Sequence, residues 1–282
     1  MTEKHFDRYF INADRKQFNP QGKLDMISSK KHDLIGFYFH SAWYKKPCVI
    51  EEGEYALAYD ELFAFVGQDM DNPRELGAEL SFTINSKEYI TDKSCMILVP
   101  KHVPHGPVKF NRVDRPVFGY VGGASREKVA LPKVQWTNIG GELDFKDYVL
   151  HFNGVDDDEA MFEVFRLHGE DDKMVGSFGG VFYGKFRWFR TTTPHDYVFA
   201  PESHAHSLPE MLNFFSTDPD DPYDLGAEID MKIMGEEYHF NQTTALFIPS
   251  NQPHCPLNIK KVDRPFMFFT LMPDCKVYLL DK

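Results

Sequence analysis

The strongest constraint on this chain is a phrase that occurs in it twice. Pro104-His105-Gly106-Pro107 followed by Val113-Asp114-Arg115-Pro116 returns 149 residues later as Pro253-His254-Cys255-Pro256 followed by Val262-Asp263-Arg264-Pro265. The offset holds without a gap back to Glu61 and Glu210, giving 20 identities in 56 aligned pairs. Many remaining pairs swap one apolar residue for another, such as Ile97-Leu98-Val99 for Leu246-Phe247-Ile248. A repeat of this length encodes two copies of one domain. A fainter echo, Phe6-Asp7-Arg8-Tyr9 against Phe145-Lys146-Asp147-Tyr148, sets the start of each copy near residues 5 and 144. The expected division is an N-terminal domain over 1–130 and a C-terminal domain over 131–282, with residues 125–143 joining the halves.

Within each copy the local patterns are those of strands. Leu80-Ser81-Phe82-Thr83-Ile84 and Ile229-Asp230-Met231-Lys232-Ile233 alternate apolar and polar residues at period two. Short apolar runs end at Pro100 and Pro249, which cannot continue a hydrogen-bond ladder. Helical signals are weak and confined to Asp156–Arg166 and the N-terminal stretch. Many short, evenly spaced strands predict an all-β protein with one barrel or sandwich per copy.

Composition excludes several classes. Lys and Arg number 31 against 43 Asp and Glu, a formal charge of −12 that opposes nucleic-acid binding. No apolar run reaches the roughly 18 residues that a membrane span needs. The opening residues lack the apolar core of a secretory signal. Four cysteines without CxxC spacing point to reduced thiols in a cytoplasmic protein.

The chemistry-bearing cluster is His204-Ala205-His206-Ser207-Leu208-Pro209-Glu210, with His254 later in the chain. On a strand His204 and His206 would share one face about 7 Å apart. Pro209 then ends the strand and returns Glu210 to the same side, while an antiparallel neighbour supplies His254. Three imidazoles and a carboxylate suit one divalent transition metal (Fe, Mn, Ni, Co, Cu or Zn), with positions left for water or substrate.

These residues resemble a known family. HxH(x)3E followed by P(x)4H(x)3N, here His204, His206, Glu210, Pro249, His254 and Asn258, is similar to the two signature motifs of the cupin superfamily. Two copies look like a bicupin, of a subgroup without an assigned substrate. The resemblance implies two tandem jelly-roll β-barrels, with His204, His206, Glu210 and His254 as metal ligands. It covers dioxygenases, decarboxylases, isomerases and binding proteins alike. Glycines usual in the motifs are replaced by Val198 and Asn251, which touches loops rather than ligands.

The repeat supplies an internal control. Tyr55 and Leu57 stand where the later copy has His204 and His206, whereas Glu61 and His105 persist. The earlier copy is therefore expected to be metal-free, with Glu61 and His105 as a hydrogen-bonded pair. Val-Asp-Arg-Pro and Leu-Gly-Ala-Glu, present in both copies, are assigned to folding: an Asp–Arg pair at a strand end and a glycine at a turn. The Asp218–Asp224 loop lacks the alternation of a calcium loop and reads as a solvated turn. Cys255, next to a ligand, is expected to pack away from it.

In Val181–Arg190, period two puts Phe182, Phe186, Trp188 and Arg190 on one face and Tyr183, Lys185 and Arg187 on the other. Sheet packing is the first expectation for these aromatics. The other is a wall at the barrel mouth, suited to an aromatic or carboxylate-bearing substrate. His195 and Tyr197 lie close in sequence to the ligands and are acid/base candidates. The expected function is a metal-dependent enzyme acting on a small oxygen-bearing molecule by isomerase, decarboxylase, lyase or dioxygenase chemistry, with Glu210 as catalytic base. The alternative is a non-enzymatic small-molecule-binding or structural-metal cupin. A homodimer is one assembly that a barrel's edge strand allows.

Overall fold

The computed structural model describes residues 6–13, 23–28, 37–123, 125, 128–137, 149–151, 154, 159–167 and 183–273. Among these the chain forms β1 (Phe10–Asn12), β2 (Lys23–Ser28), β3 (Tyr38–Tyr44), β4 (Cys48–Glu51), β5 (Glu61–Gly67), β6 (Glu75–Ile84) and β7 (Lys87–Lys93). Next come β8 (Cys95–Val99), β9 (His105–Val113), β10 (Val117–Gly123), β11 (Val149–His151), β12 (Met161–Leu167), β13 (Tyr183–Phe189) and β14 (Tyr197–Ala200). The last are β15 (Glu210–Ser216), β16 (Asp224–Ile233), β17 (Glu236–Gln242), β18 (Thr244–Ile248), β19 (His254–Val262) and β20 (Phe266–Met272).

The chain divides into two compact units, Lys16–Phe152 and Met1–Arg15 with Asn153–Lys282. The first unit holds a six-stranded sheet, β11-β8-β5-β10-β3-β2, and a four-stranded sheet, β4-β9-β6-β7. The second repeats this arrangement with β1-β18-β15-β20-β13-β12 and β14-β19-β16-β17. Each is a jelly-roll sandwich of two sheets rather than a fully closed barrel. In the second unit Leu212, Phe214, Leu246 and Phe268 from the larger sheet pack with Leu225, Ile229, Met231 and Ile259 from the smaller one. Burying each such side chain contributes about 1.5–3 kcal/mol.

β1 pairs with β18, placing Phe10 opposite Leu246, and β11 pairs with β8, placing Val149 opposite Ile97. Uncovered, β8 and β18 would be sheet edges with unpaired backbone groups. The opening strand of each sequence copy covers the edge left by the other copy. Within the second unit Phe6 joins the core and its amide donates to the Tyr238 hydroxyl at 3.0 Å.

The helical signal near Asp156–Arg166 gives way to strand from Met161 onward. Met161–Leu167 pairs with β13 and buries Phe162, Val164 and Phe165. Long-range pairing overrides a weak local preference there. Among the described residues of the N-terminal stretch, Asp7–Tyr9 form a three-residue 3-10 turn. Phe145–Tyr148, Val181 and Phe182 lie outside the described residues.

The repeated phrases meet as a folding device. In the first unit the amides of Asp114 and Arg115 donate to the Gly77 carbonyl; in the second, those of Asp263 and Arg264 donate to Gly226. Gly77 and Gly226 have φ of +70° and +73°, and a Cβ on Gly226 would lie 2.6 Å from that of Arg264. Each arginine pairs with a loop aspartate, Arg115 with Asp69 and Arg264 with Asp218, rather than with its neighbour in sequence. The Asp218 carboxylate also caps the Asp220 and Asp221 amides at 2.8 and 3.2 Å, the bonding of a local turn.

Candidate metal centre

His204 and His206 lie in the extended segment between β14 and β15 rather than inside a longer strand. His204 exchanges two backbone hydrogen bonds with His254, at 3.0 and 2.9 Å, and the His206 carbonyl accepts from the Asn251 amide at 2.7 Å. Glu210 begins β15 and shares its inward face with Leu212 and Phe214. The three imidazoles consequently cluster, with ring centroids 4.4 Å apart for His204 and His254, 4.9 Å for His204 and His206, and 5.2 Å for His206 and His254.

His206, Glu210 and His254 each offer a donor atom within 4.8 Å of the other two, and all three are buried. The Glu210 carboxylate lies 3.1 Å from His254 Nε2 and 3.7 Å from His206 Nε2. Even so, His254 Nε2 makes no aligned hydrogen bond, and His206 Nδ1 has no partner. Donors that face one another without bonding suit a shared cation better than a hydrogen-bonded pair. His204 adjoins this trio, and its donor atom groups with those of His254 and Cys255.

The tautomers follow from the backbone. His204 Nδ1 lies 2.9 Å from the Glu202 carbonyl, and His254 Nδ1 lies 3.0 Å from that of Gln252. A carbonyl only accepts, so Nδ1 carries the proton and Nε2 keeps its lone pair for the cluster. Burial holds the His206 pKa below the ordinary imidazole value. Burial also pulls on His254, but the facing Glu210 carboxylate outweighs it and raises that pKa.

The first unit presents the same backbone with different side chains. Tyr55 exchanges backbone hydrogen bonds with His105 at 2.9 and 2.8 Å, as His204 does with His254. Here every donor is satisfied by protein. Glu61 Oε2 accepts from His105 Nε2 at 2.6 Å and from the Tyr55 hydroxyl at 2.8 Å. Glu61 Oε1 accepts from the Tyr38 hydroxyl and lies 3.1 Å from Lys128 Nζ. Burial opposes ionisation of Glu61, yet His105, Lys128 and Tyr38 together lower its pKa. The expected Glu61–His105 pair is present, embedded in a wider network. A cavity of about 330 Å³ beside it is lined by Glu51, Tyr55, Leu57 and Lys128, among others.

Sequence reading missed Tyr38 and Lys128. Register pairs Tyr38 with Gly123 and Tyr183 with Met272, so the two tyrosines are equivalent although their offset is 145 rather than 149. Four extra residues between β13 and β14, relative to the gap between β3 and β4, hide this from a gapless comparison. Lys128 comes from the joining segment, which no motif marks.

Phe186 and Trp188 are fully buried on one face of β13, whereas Tyr183, Lys185 and Arg187 share the inward face with core residue Phe189. The aromatics therefore pack and the polar residues line the interior. Tyr197 packs against the core, while His195 sits exposed on a turn and is not brought into the cluster. Cys255 belongs to the core cluster, and burial together with the Glu210 charge pushes its thiol pKa up to about 12.

No protein-family model matches the sequence, and no curated protein does either. Among solved structures, the chain is similar to vicilin from Corylus avellana (hazelnut), with a TM-score of 0.58 and 8% identity over 97% of this chain and 88% of that one. A variant of Bacillus subtilis oxalate decarboxylase gives 0.56 and 9% identity over 92% and 74%. AerE from Microcystis aeruginosa gives 0.53 and 11% identity over 97% and 100%. At these identities the likeness concerns the fold alone, two jelly-roll sandwiches in tandem.

Proposed function

We propose that the chain is a metal-dependent bicupin enzyme with one working centre, in its second unit, acting on a small oxygen-bearing molecule. The observation that carries this reading is the buried trio His206, Glu210 and His254, whose donor atoms converge without satisfying one another. His204 completes the proposed ligand set. The Mn(II) centres of Bacillus subtilis oxalate decarboxylase, a protein of the same fold, add support. A bound divalent transition metal would supply Lewis acidity or, as iron, redox chemistry.

The chain's own residues have separable roles. The carbonyls of Glu202 and Gln252 hold two imidazoles in the tautomer that presents Nε2. Burial keeps His206 neutral and able to donate. Glu210 is the carboxylate of the cluster and the candidate base for taking a proton from substrate. Both isomerase or decarboxylase chemistry and dioxygenase chemistry are compatible with this arrangement.

Elemental analysis of protein purified without chelator, beside His206→Ala, tests the reading. Stoichiometric metal in the parent and its loss from a folded variant are expected. A variant that unfolds would favour a closed structural site instead. Turnover of enolisable acids and phenols with and without oxygen then separates isomerase from oxygenase.

A further inference from the structure

The inward face of β13 carries two cations, Lys185 and Arg187. Arg187 lies 3.2 Å from Glu163 Oε2, while Arg166 pairs with the other oxygen of the same carboxylate. Lys185, between Arg187 and Tyr183 on that face, makes no ion pair among the described residues; its Nζ lies 5.9 Å from the centroid of the Tyr183 ring. Burial and the Arg187 charge pull the Lys185 pKa down. Among the described residues Lys185 therefore has no counter-ion, and a partly buried ammonium in that position costs stability.

Register places this charge beside the candidate centre. Lys185 is opposite Thr270 and Thr270 opposite Leu212, so Lys185 stands two strands across from β15, one inward-facing step beyond Glu210. Two strand spacings and one such step put the Cα atoms of Lys185 and Glu210 about 12 Å apart. Phe199, a ring packed against the core, lies 5.3 Å from the Arg187 guanidinium.

The first unit is again a control. Its residues in register with Lys185 and Arg187 are His40 and Ala42. The cationic pair therefore occurs in the copy with the candidate metal cluster and not in the copy whose Glu61 is internally satisfied.

We propose that Lys185, backed by Arg187, anchors the carboxylate of a small organic acid whose other oxygens face the His206–Glu210–His254 cluster. This deepens the metal-centre reading and rests on it for the second half of the site. The anchor itself is present with or without a metal.

The test uses the full chain, as purified and after Zn(II) loading, titrated calorimetrically with malonate and with uncharged malonamide. Malonate is expected to bind and malonamide not. Lys185→Gln should weaken malonate on the order of tenfold, the loss of one charge-assisted hydrogen bond, while Lys185→Arg retains it. Lys185→Gln should bind metal as before and should melt no lower than the parent, because it removes an uncompensated buried charge. Equal malonate affinity in parent and Lys185→Gln, or no malonate binding by the parent, overturns the anchor. So does unfolding of Lys185→Gln, which would make Lys185 a structural residue. If the parent binds no metal, the centre fails, and the metal-free titrations still decide the anchor.

Discussion

Glu61 and Glu210 occupy one position of the repeat and differ in what surrounds them. Glu61 has four protein partners, Tyr38, Tyr55, His105 and Lys128, whereas Glu210 faces imidazoles that it does not satisfy. A buried carboxylate that loses its charge abandons its cationic partners, so Glu61→Gln should cost about 3 kcal/mol at pH 7 in urea denaturation. The folded-state pKa of Glu61 lies below its ordinary 4.5. Its contribution is therefore complete above that value and is lost as pH falls through the lower, folded value. Stability of the parent should fall on acidification below about 4.5, and that part of the fall should be missing in Glu61→Gln. Parallel pH profiles for the two proteins would show that the network does not hold the first unit together. Tyr55 and Leu57 announced the missing imidazoles in the sequence. Lys128 could not be read there, since a lysine in a connecting segment carries no periodic or motif signal.

At the scale of strands, the same sheet is tuned by one residue between two others. Gly123 lies between Glu61 and Tyr38 across β5, β10 and β3, and a Cβ there would come within 2.6 Å of the Tyr38 ring. The glycine lets the ring reach over to Glu61. The second unit has Met272 opposite Tyr183 at this place, next to Leu271, which pairs with Met211. Gly123→Met should displace Tyr38 and lower stability by about 1–3 kcal/mol, the usual cost of overpacking, read as a lower thermal midpoint. Gly226→Ala should cost a similar amount, for its left-handed backbone and for the contact with Arg264. Strand positions and the clustering of His204, His206 and Glu210 were legible in the sequence, because period two and the HxH spacing are local. The Tyr38–Tyr183 equivalence was hidden by a four-residue insertion, and β12 by a local pattern that its pairing with β13 overrules.

Over the whole molecule, two similar sequences fold into units whose opening strands are exchanged. Removing residues 1–13 should therefore act on the second unit: the Ala245 amide on β18, which faces Ile11 of β1, should lose hydrogen-exchange protection, while the amides of β8 keep theirs. The repeat gave the number of units but not this exchange, which depends on edge strands needing cover. The same duplication yields one unit whose polar cluster is satisfied by protein groups and one whose cluster leaves His206 Nδ1 and His254 Nε2 without a hydrogen-bond partner. Native mass spectrometry of the full chain measures that asymmetry directly, comparing the parent with His206→Ala and His105→Ala. The account predicts one transition-metal ion per chain, absent from folded His206→Ala and retained by folded His105→Ala. Two ions per chain, or an ion that survives His206→Ala and leaves with His105→Ala, would contradict it.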